Sequence, residues 1–487
     1  MHPTTTPSRP DDRSAAESRR RNRFRPTLER CERRTLLTTY TVTALTDAGA
    51  GRGTAGDLRY CLRQANADGR RDTITFAVAG TIQLRSSLPS LDNARGITIA
   101  GPGAGSLTVR GGGEYSNFQI LKVKHGATAT ISGVTFADGD APQFGGAIYN
   151  RGWLRIRGAS FVGNSAGDSG GAINNAATLT VADSDIAGNS AGILGGGIYN
   201  SGKATISGST IAGNSAATAG GGINSTFGTL EVAGTTLDGN SAGAFGGAIS
   251  INGPTDFSES GGTLTVVDST LSNNTAGSTP DRGYGGGIGS NKSKTEIRGT
   301  SFTNNASGRG AGGVGINGGD LSVVDSAFSG NRTGESGGAI SINGGASINF
   351  APRTQGATLS VARSSFAGNS ARRNGGAIES ISTTAKVRGA TLEANEAGSF
   401  GGAISLDSDP IFNQSQGKLT LVDSTVSGNT AVRGGGISNR DRLTLSNATV
   451  TDNQAGDTGG GIYGRDGLVV GHSAVTGNRP DNIGGGT

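Results

Sequence analysis

Apolar and polar residues alternate along most of the chain in stretches too short for helices. Leu179 and Val181 flank Thr180, which predicts a strand with one buried face. The interval from Val181 to Ile186 is odd, so the chain must bend near Asp183 to keep both apolar side chains inside. Similar stretches of two to five residues recur throughout the sequence. The pattern therefore predicts many short strands joined by tight bends.

This pattern repeats twelve times from about residue 130, mostly at intervals of 25 or 26 residues. An apolar residue after a glycine pair recurs at Ile148, Ile173, Ile198, Ile223, Ile249, Ile288, Val314, Ile340, Ile378, Ile404, Ile437 and Ile462. An asparagine recurs in fixed phase with it at Asn164, Asn189, Asn214, Asn240, Asn274, Asn305, Asn331, Asn369, Asn395, Asn429, Asn453 and Asn478. Repeats of this length indicate a solenoid in which stacked units share one core.

The repeat predicts an all-β fold, a single-stranded right-handed parallel β-helix of the pectate-lyase-like type, with three strands in each coil. Frequent glycine excludes a helical repeat, and a propeller blade needs about 40–45 residues. Coils stack at about 4.8 Å, so twelve of them span about 58 Å. We expect the asparagines to adopt the left-handed conformation and to form an amide ladder. The glycine pairs allow positive φ and close approach of successive backbones.

The N-terminal part of the chain divides into a leader and a cap. Residues 1–39 form a basic segment that we expect to be disordered, and residues 40–71 form a cap. Asp57–Asn66 predicts a short amphipathic helix with Asp57 as N-cap and Cys61 on its buried face. The β-helix then covers residues 72–487, beginning with about three less regular coils before residue 140. A Cys31–Cys61 disulfide would tie this helix to the leader, and an inert buried thiol is the alternative.

Composition and charge exclude several classes of protein. The chain has 487 residues, of which 88 are glycine, without the every-third spacing of collagen. Its net charge of +5 comes from residues 1–34, which hold ten arginines and five acids. The body is neutral, so we expect no nucleic-acid partner. No apolar run is long enough for a transmembrane helix.

Two motifs alternate in fixed phase, Phe161-x-x-Asn164 and Gly145-Gly146-Ala147-Ile148. In this respect residues 130–487 resemble the polymorphic outer-membrane protein family and, more broadly, bacterial adhesins and autotransporter passengers. The resemblance implies a surface-exposed protein that acts in adhesion or envelope structure. Those proteins continue into a translocating β-barrel, whereas this chain stops inside a repeat, so their anchoring route is not carried over. The short segment Leu28–Leu37 resembles the leader of large bacterial surface proteins and implies an extracytoplasmic destination.

Many β-helices are carbohydrate lyases or hydrolases, which would need a pair of carboxylates at neighbouring strand positions. Asp183, Asp268, Asp325 and Asp423 share one position of the repeat, but this position is a turn, where aspartate bonds to local backbone. None of the three histidines lies beside a carboxylate in sequence. We therefore assign no catalytic residues, no metal ligands and no cofactor.

Three coils carry insertions at the same corner, between the residue after the glycine pair and the next strand. The intervals are 15 residues from Ile249 and from Ile404, and 19 from Ile340. From coil counting, successive insertions lie roughly 14 Å and 10 Å apart along one edge. The candidate ligand-binding residues on this edge are Phe257, Phe350, Arg353 and Phe412. Aromatic tips beside polar groups suit an extended glycan or peptide, and packing of the phenylalanines on the solenoid wall is the alternative.

These observations predict a non-catalytic extracellular or cell-surface protein, adhesive or structural, that binds a polysaccharide or another cell-surface ligand along this edge. A polysaccharide-active enzyme, a lyase or a glycoside hydrolase, is the alternative. The last coil leaves apolar residues and strand edges uncovered, including Leu468, Val470 and Val475. We therefore expect end-to-end self-association through that coil.

Overall fold

The computed structural model describes residues 37–112, 117–252, 261–277, 283–344, 357–407, 417–464 and 467–485. In these residues the chain winds into stacked coils whose strands form three parallel sheets. This architecture is the parallel β-helix that the sequence predicts. Each regular coil has four short strands where the sequence predicts three. The fourth strand is commonly only two residues long, as in Ser190–Ala191, and is too short to show an alternating pattern.

The first and second strands of every coil belong to one 30-stranded sheet. The first strands are Leu121–Val123, Ile148–Asn150, Ile173–Asn175, Ile198–Asn200, Ile223–Thr226, Ile249–Asn252, Ile340–Asn343, Ile378–Ile381, Ile404–Asp407, Ile437–Asn439, Ile462–Tyr463 and Ile483–Gly484. The second strands are Thr38–Ala44, Asp72–Phe76, Ile97–Ala100, Thr128–Ser132, Trp153–Arg157, Thr178–Ala182, Lys203–Ser207, Thr229–Ala233, Thr263–Val267, Thr358–Ala362, Thr384–Arg388, Lys418–Val422, Arg442–Ser446 and Leu468–Gly471. In two coils the first and second strands merge into the continuous strands Ile288–Arg298 and Val314–Val324. Two short strands of the cap, Gly51–Arg52 and Ala55–Asp57, complete this sheet.

The third and fourth strands form two separate sheets of 15 and 12 strands. The third strands are Gly80–Gln83, Leu107–Arg110, Thr135–Ala137, Ser160–Val162, Asp185–Ala187, Thr210–Ala212, Thr236–Asp238, Thr270–Ser272, Ser301–Thr303, Ala327–Ser329, Ser365–Ala367, Thr391–Glu393, Thr425–Ser427, Thr449–Thr451 and Ala474–Thr476. The fourth strands are Asp140–Ala141, Ser165–Ala166, Ser190–Ala191, Ser215–Ala216, Ser241–Ala242, Thr275–Ala276, Ala306–Ser307, Arg332–Thr333, Ser370–Ala371, Glu396–Ala397, Thr430–Arg433 and Gln454–Thr458.

One helix, Leu58–Ala67, lies in the cap of the described chain, and the sequence predicts it within one residue. It begins there because the Asp57 side chain accepts a hydrogen bond from the backbone N–H of Tyr60 at 2.9 Å. Cys61 is a free thiol on the buried face of the helix. Burial raises the pKa of this thiol to about 11, so it stays protonated and unreactive at neutral pH.

The core runs along the inside of the coils and is built from equivalent positions in successive strands. Leu154 pairs with Leu179, and Leu179 with Ala204, so each apolar side chain stacks on the equivalent residue of the next coil. Phenylalanines stack in the same way in the third strands. The Phe302 and Phe328 ring centroids are 4.6 Å apart, and both rings are fully buried. No single coil could bury these side chains, so stacking of coils supplies the core.

The asparagines that recur at the same position of each coil form a continuous ladder between the third and fourth strands. The side-chain Nδ2 of Asn164 donates to Oδ1 of Asn189 at 2.9 Å, and the same bond recurs through every coil to Asn478 at 2.9–3.0 Å. The predicted left-handed backbone of these asparagines is wrong. The left-handed conformation belongs to the preceding position, such as Gly188 with φ +62°, because glycine has no Cβ to clash there. This leaves Asn189 free to point its amide inward.

The glycine pairs combine both properties that the sequence predicts for them. Gly170 has φ +71°, and a Cβ on Gly171 would overlap the carbonyl oxygen of Gly196 in the next coil. A side chain at either position would therefore be strained or excluded.

In the last described coil the inner residue Val470 is 44% exposed. Its outward neighbour Val469 is exposed as well. End-to-end association through this coil stays a prediction.

Candidate functional site: the insertion corner

We call the connection between the first and second strands of each coil the insertion corner. All three insertions are at this corner, because their flanking strands pair in register with the neighbouring coils. The described chain leaves the wall at Asn252, Gly344 and Asp407 and returns by Gly261, Ala357 and Gly417. The four predicted ligand-binding residues, Phe257, Phe350, Arg353 and Phe412, lie outside the described residues.

The coils between the insertions have short or absent connections. Two continuous strands separate the first insertion from the second, and a two-residue turn at 382–383 separates the second from the third. Coils with long connections at this corner are therefore separated by one or two coils with a short connection or none. From the coil spacing of about 4.8 Å, the second and third insertions stand about 10 Å apart, with one bare coil between them.

A second amide ladder stabilises the N-terminal part of this corner, and the sequence analysis missed it. Asn150 donates to Asn175, and Asn175 donates to Asn200, each at 2.7 Å from Nδ2 to Oδ1. The row ends where Asn200 donates to the hydroxyl of Ser225 at 3.0 Å. All four residues are buried at the end of the first strand, so they hold the corner rigid beneath its exposed side chains.

Two large aromatic side chains are exposed at this corner in the described chain, and the sequence analysis missed both. Trp153, the only tryptophan of the protein, begins a second strand and is 64% exposed. Phe227 is 60% exposed and has φ +57°, a left-handed conformation that is unfavourable for a bulky residue. Side chains held exposed under backbone strain are typical of binding sites.

A buried carboxyl group lies between the second and third insertions. Glu379 is the outward residue after Ile378, yet it is only 6% exposed. Its Oε2 accepts a hydrogen bond from the Ser341 hydroxyl of the preceding coil at 3.0 Å. Burial raises the pKa of Glu379 to about 7, although hydrogen bonds from Ser336 and Ser341 oppose the increase. Glu379 can therefore hold or release a proton near neutral pH.

A second carboxylate, Asp407, lies on the same outer face one coil further on. Asp407 pairs with Ile381, two residues along from Glu379, so the two acidic residues are diagonal neighbours. The strand spacings place their Cβ atoms about 8 Å apart. Asp407 forms an ion pair with Arg440 at 3.1 Å. The Arg440 guanidinium also lies 4.3 Å from the centroid of the Phe400 ring.

A third acid, Asp441, completes this group. Burial raises the pKa of Asp441, and the charge of Asp407 contributes to the increase. Its Oδ2 is buried without a hydrogen-bond partner among the described residues. The site thus combines a carboxyl whose pKa is about 7, an aspartate paired with an arginine, and a second buried aspartate, and such groups can exchange protons or bind hydroxyl groups.

The aspartates at the repeated position lie in the turn that the sequence predicts for them. Asp183, Asp268, Asp325 and Asp423 lie between the second and third strands with φ of 47–50°. Arg363 binds Asp325 through two hydrogen bonds of 2.6 and 2.8 Å, and this interaction lowers the pKa of Asp325. A shallow depression of about 470 Å³ lies beside this pair on the wall away from the insertions.

Within the described ranges no group of three or more histidine, cysteine, aspartate or glutamate side chains is arranged to hold a metal ion. The helix of the cap is too short to cross a membrane, and the described chain contains no other candidate helix.

No protein-family model matches this chain, and no curated protein sequence matches it. Several solved structures are similar to it. Tailspike protein 3 of bacteriophage CBA120 is 11% identical with a TM-score of 0.43, over 86% of this chain and 59% of the tailspike chain. The A-module of a mannuronan C-5 epimerase from Azotobacter vinelandii is 13% identical with a TM-score of 0.40, over 87% of this chain and 97% of the module. The catalytic domain of a GH87 alpha-1,3-glucanase is 14% identical with a TM-score of 0.37, over 87% of this chain and 67% of that domain.

Proposed function

We propose that this protein is a non-catalytic surface module that binds an extended polysaccharide along the insertion corner. The observation that carries this proposal is that the three longest insertions of the chain lie at one corner of the solenoid. Independent insertions would fall at any of the four connections of a coil. The three longest insertions share one corner, while a shorter one at 278–282 lies at the connection after a fourth strand, and this clustering supports a shared function for that edge.

The chemistry of the corner suits a sugar polymer. Trp153 and Phe227 offer exposed aromatic faces, and Phe257, Phe350 and Phe412 extend the series into the insertions. Aromatic rings stack on the apolar faces of sugars, while amides, hydroxyls and charged groups bond to their hydroxyls. Coils repeat at about 4.8 Å along this edge, so a polymer that follows it meets equivalent wall positions at regular intervals.

The proposal includes an extracellular or cell-surface location, where such a polymer would be accessible. The alternating Phe161-x-x-Asn164 and glycine-pair motifs that resemble polymorphic outer-membrane proteins support the same assignment. So does the Leu28–Leu37 segment. Fractionation of the producing cells, followed by detection of the full chain with an antibody, tests the location independently of any ligand.

Binding is tested with a panel of immobilised neutral and acidic polysaccharides and the full chain. We expect Phe350→Ala and Phe227→Ala to weaken retention on the bound polymer at least fivefold without changing the circular dichroism spectrum. Phe245→Ala, on an exposed ring outside the corner, is the matched control. Retention that survives both corner substitutions, or a complete lack of retention, would contradict the proposal.

One observation favours polysaccharide cleavage as a second candidate function. The Cβ atoms of Glu379 and Asp407 are about 8 Å apart, a spacing comparable with the carboxyl separations of inverting glycosidases, and the pKa of Glu379 is about 7. Glu379 would act as the general acid and Asp407 as the base that activates water. Reducing-end assays on the bound polymer decide between the two functions. If cleavage occurs, Glu379→Gln and Asp407→Asn should abolish it while leaving retention intact.

A further inference from the structure

One coil presents alternating aromatic and basic side chains across the insertion corner. Between residues 149 and 157 every second residue is buried, and the others face outward. The outward residues Tyr149, Arg151, Trp153 and Arg155 form what we call the basic aromatic band. The alternation continues through the corner without interruption because Gly152 is buried at the bend. The four side chains therefore share one continuous outer surface.

The band stands out from a surface of small hydroxyl residues. Trp153 pairs with Thr128 and Thr178 in the coils on either side. Arg155 likewise pairs with a threonine on each side, Thr130 and Thr180. The adjacent coils fold with threonine at both of these positions, so folding does not require a large side chain there. The large side chains of this one coil are not explained by the architecture.

The positive charge of the band is not neutralised within the described chain. The nearby Arg157 pairs with Asp183 at 3.2 Å, and Lys124 pairs with Asp92 at 3.1 Å. By contrast, Arg151 and Arg155 form no ion pair with any described residue. Neighbouring acids are thus already matched by other cations, and these two arginines are available to an external anion.

Lysines extend the same surface along the solenoid axis. The Lys122 ammonium lies 5.4 Å from the centroid of the Tyr149 ring in the next coil. Lys203 occupies the Trp153 position two coils further on, and it too lacks an ion pair in the described chain. A polymer that follows the corner would therefore meet cations at more than one coil.

We propose that the basic aromatic band binds an acidic polysaccharide, a chain that contains uronate sugars. Arginine's planar fork matches a carboxylate through two parallel hydrogen bonds, and Trp153 stacks on the face of the same or the next sugar. The flanking threonines supply neutral hydrogen bonds to hydroxyl groups. This inference rests on the proposed function, because it assigns a substrate class to a polymer that follows the insertion corner.

Trp153 is the single tryptophan of the chain, so its fluorescence reports this site directly. The full chain is titrated with oligogalacturonate as the probe, in low salt. We expect saturable quenching or a spectral shift, reversed by added salt. Calorimetry then compares Arg151→Gln/Arg155→Gln with Arg332→Gln/Arg372→Gln, a control pair with the same loss of charge at exposed positions in or next to fourth strands, away from the insertion corner. The first pair should weaken binding at least tenfold, and the control pair less than twofold.

Trp153→Thr restores the residue of the neighbouring coils, so it should keep the melting temperature and still weaken oligogalacturonate binding about tenfold in the calorimeter. Equal fluorescence responses to cellohexaose, oligothymidylate or anionic vesicles would overturn the assignment, as would equal losses in both arginine pairs. A protein that retains a neutral polysaccharide through Phe227 and ignores oligogalacturonate overturns this inference alone. A protein that binds no polysaccharide overturns the proposed function as well.

Discussion

Asn164 and Asn189 are joined twice: both the backbone N–H and the side-chain Nδ2 of Asn164 donate to Oδ1 of Asn189, each at 2.9 Å. Asn189 in turn makes the same two bonds to Asn214, and its Nδ2 also donates to the carbonyl oxygen of Phe161 at 3.0 Å. Each amide of the ladder therefore satisfies the backbone of its own corner and fixes the next coil. These groups are buried, so no water replaces a lost partner.

Asn189→Leu should therefore reduce the free energy of unfolding by about 3 kcal/mol, because it leaves buried donors and acceptors of two coils unpaired. Chemical denaturation of the full chain measures this loss. Ser190→Ala, on the exposed neighbouring residue, is the control and should stay within about 0.5 kcal/mol of wild type. Equal stability of the two variants would show that the ladder contributes nothing.

Two glycines of one coil should respond differently to alanine. Gly171→Ala should destabilise by at least about 3 kcal/mol, because the new Cβ overlaps backbone of the next coil. Gly188→Ala should lose only about 1 kcal/mol, since its Cβ would meet open space and only the positive φ is unfavourable. Thermal unfolding compares the two. The reverse order would be inconsistent with the close approach of coils at the glycine pairs.

The regular repeat explains why the fold was predictable and the carboxyl cluster was not. Ile173, its glycine pair and Asn189 recur in nearly every coil, so one sequence contains twelve samples of each role. Glu379 and Asp407 occur once each and are 28 positions apart. Only the strand register shows that they are diagonal neighbours on the same outer face. Their positions in the repeat could have shown this, because Glu379 is one residue after Ile378 and Asp407 is three residues after Ile404. Odd intervals from the buried isoleucine put both side chains on the outer face. The band at Trp153 was likewise visible as a strict alternation in sequence, but only burial showed that the alternation continues through the bend.

Glu379 should make the protein less stable as pH rises. Its pKa is about 7 in the folded protein against 4.5 ordinarily, so folding favours the protonated form. The stabilisation from the bound proton is complete below about pH 4.5 and is lost as pH rises through 7. Nearby Asp407 and Glu335 add to the unfavourable charge, while Ser336 and Ser341 offset it.

Glu379→Gln should therefore reduce the difference in unfolding free energy between pH 5 and pH 8 by roughly 2–3 kcal/mol relative to wild type. Urea denaturation at the two pH values gives this difference. Glu396→Gln, on an exposed fourth strand, is the control and should leave the pH dependence unchanged. A Glu379→Gln variant that follows the wild-type pH profile would show that Glu379 is not buried as described.

Phe227→Gly should increase the stability of the protein and weaken its binding of polysaccharide. Glycine relieves the left-handed strain at φ +57°, and the lost side chain is mostly exposed, so stability should rise by about 1 kcal/mol. The same substitution should weaken retention on polysaccharide. Phe227→Ala, which keeps the strain, should weaken retention equally without the gain in melting temperature. If glycine lowers the melting temperature, Phe227 packs on the wall and does not serve as an exposed platform.

Hydrogen exchange of the full chain, with and without the polysaccharide that the panel retains, tests most directly whether the insertion corner is the binding surface. We expect the polymer to slow exchange at the corner connections, including 226–229 and 381–384, and at the insertions 253–260, 345–356 and 408–416. Exchange in the third strands, such as Asp185–Ala187 and Ser365–Ala367, should not change. Protection confined to the third or fourth strands, with none at the corner connections, would contradict the proposal.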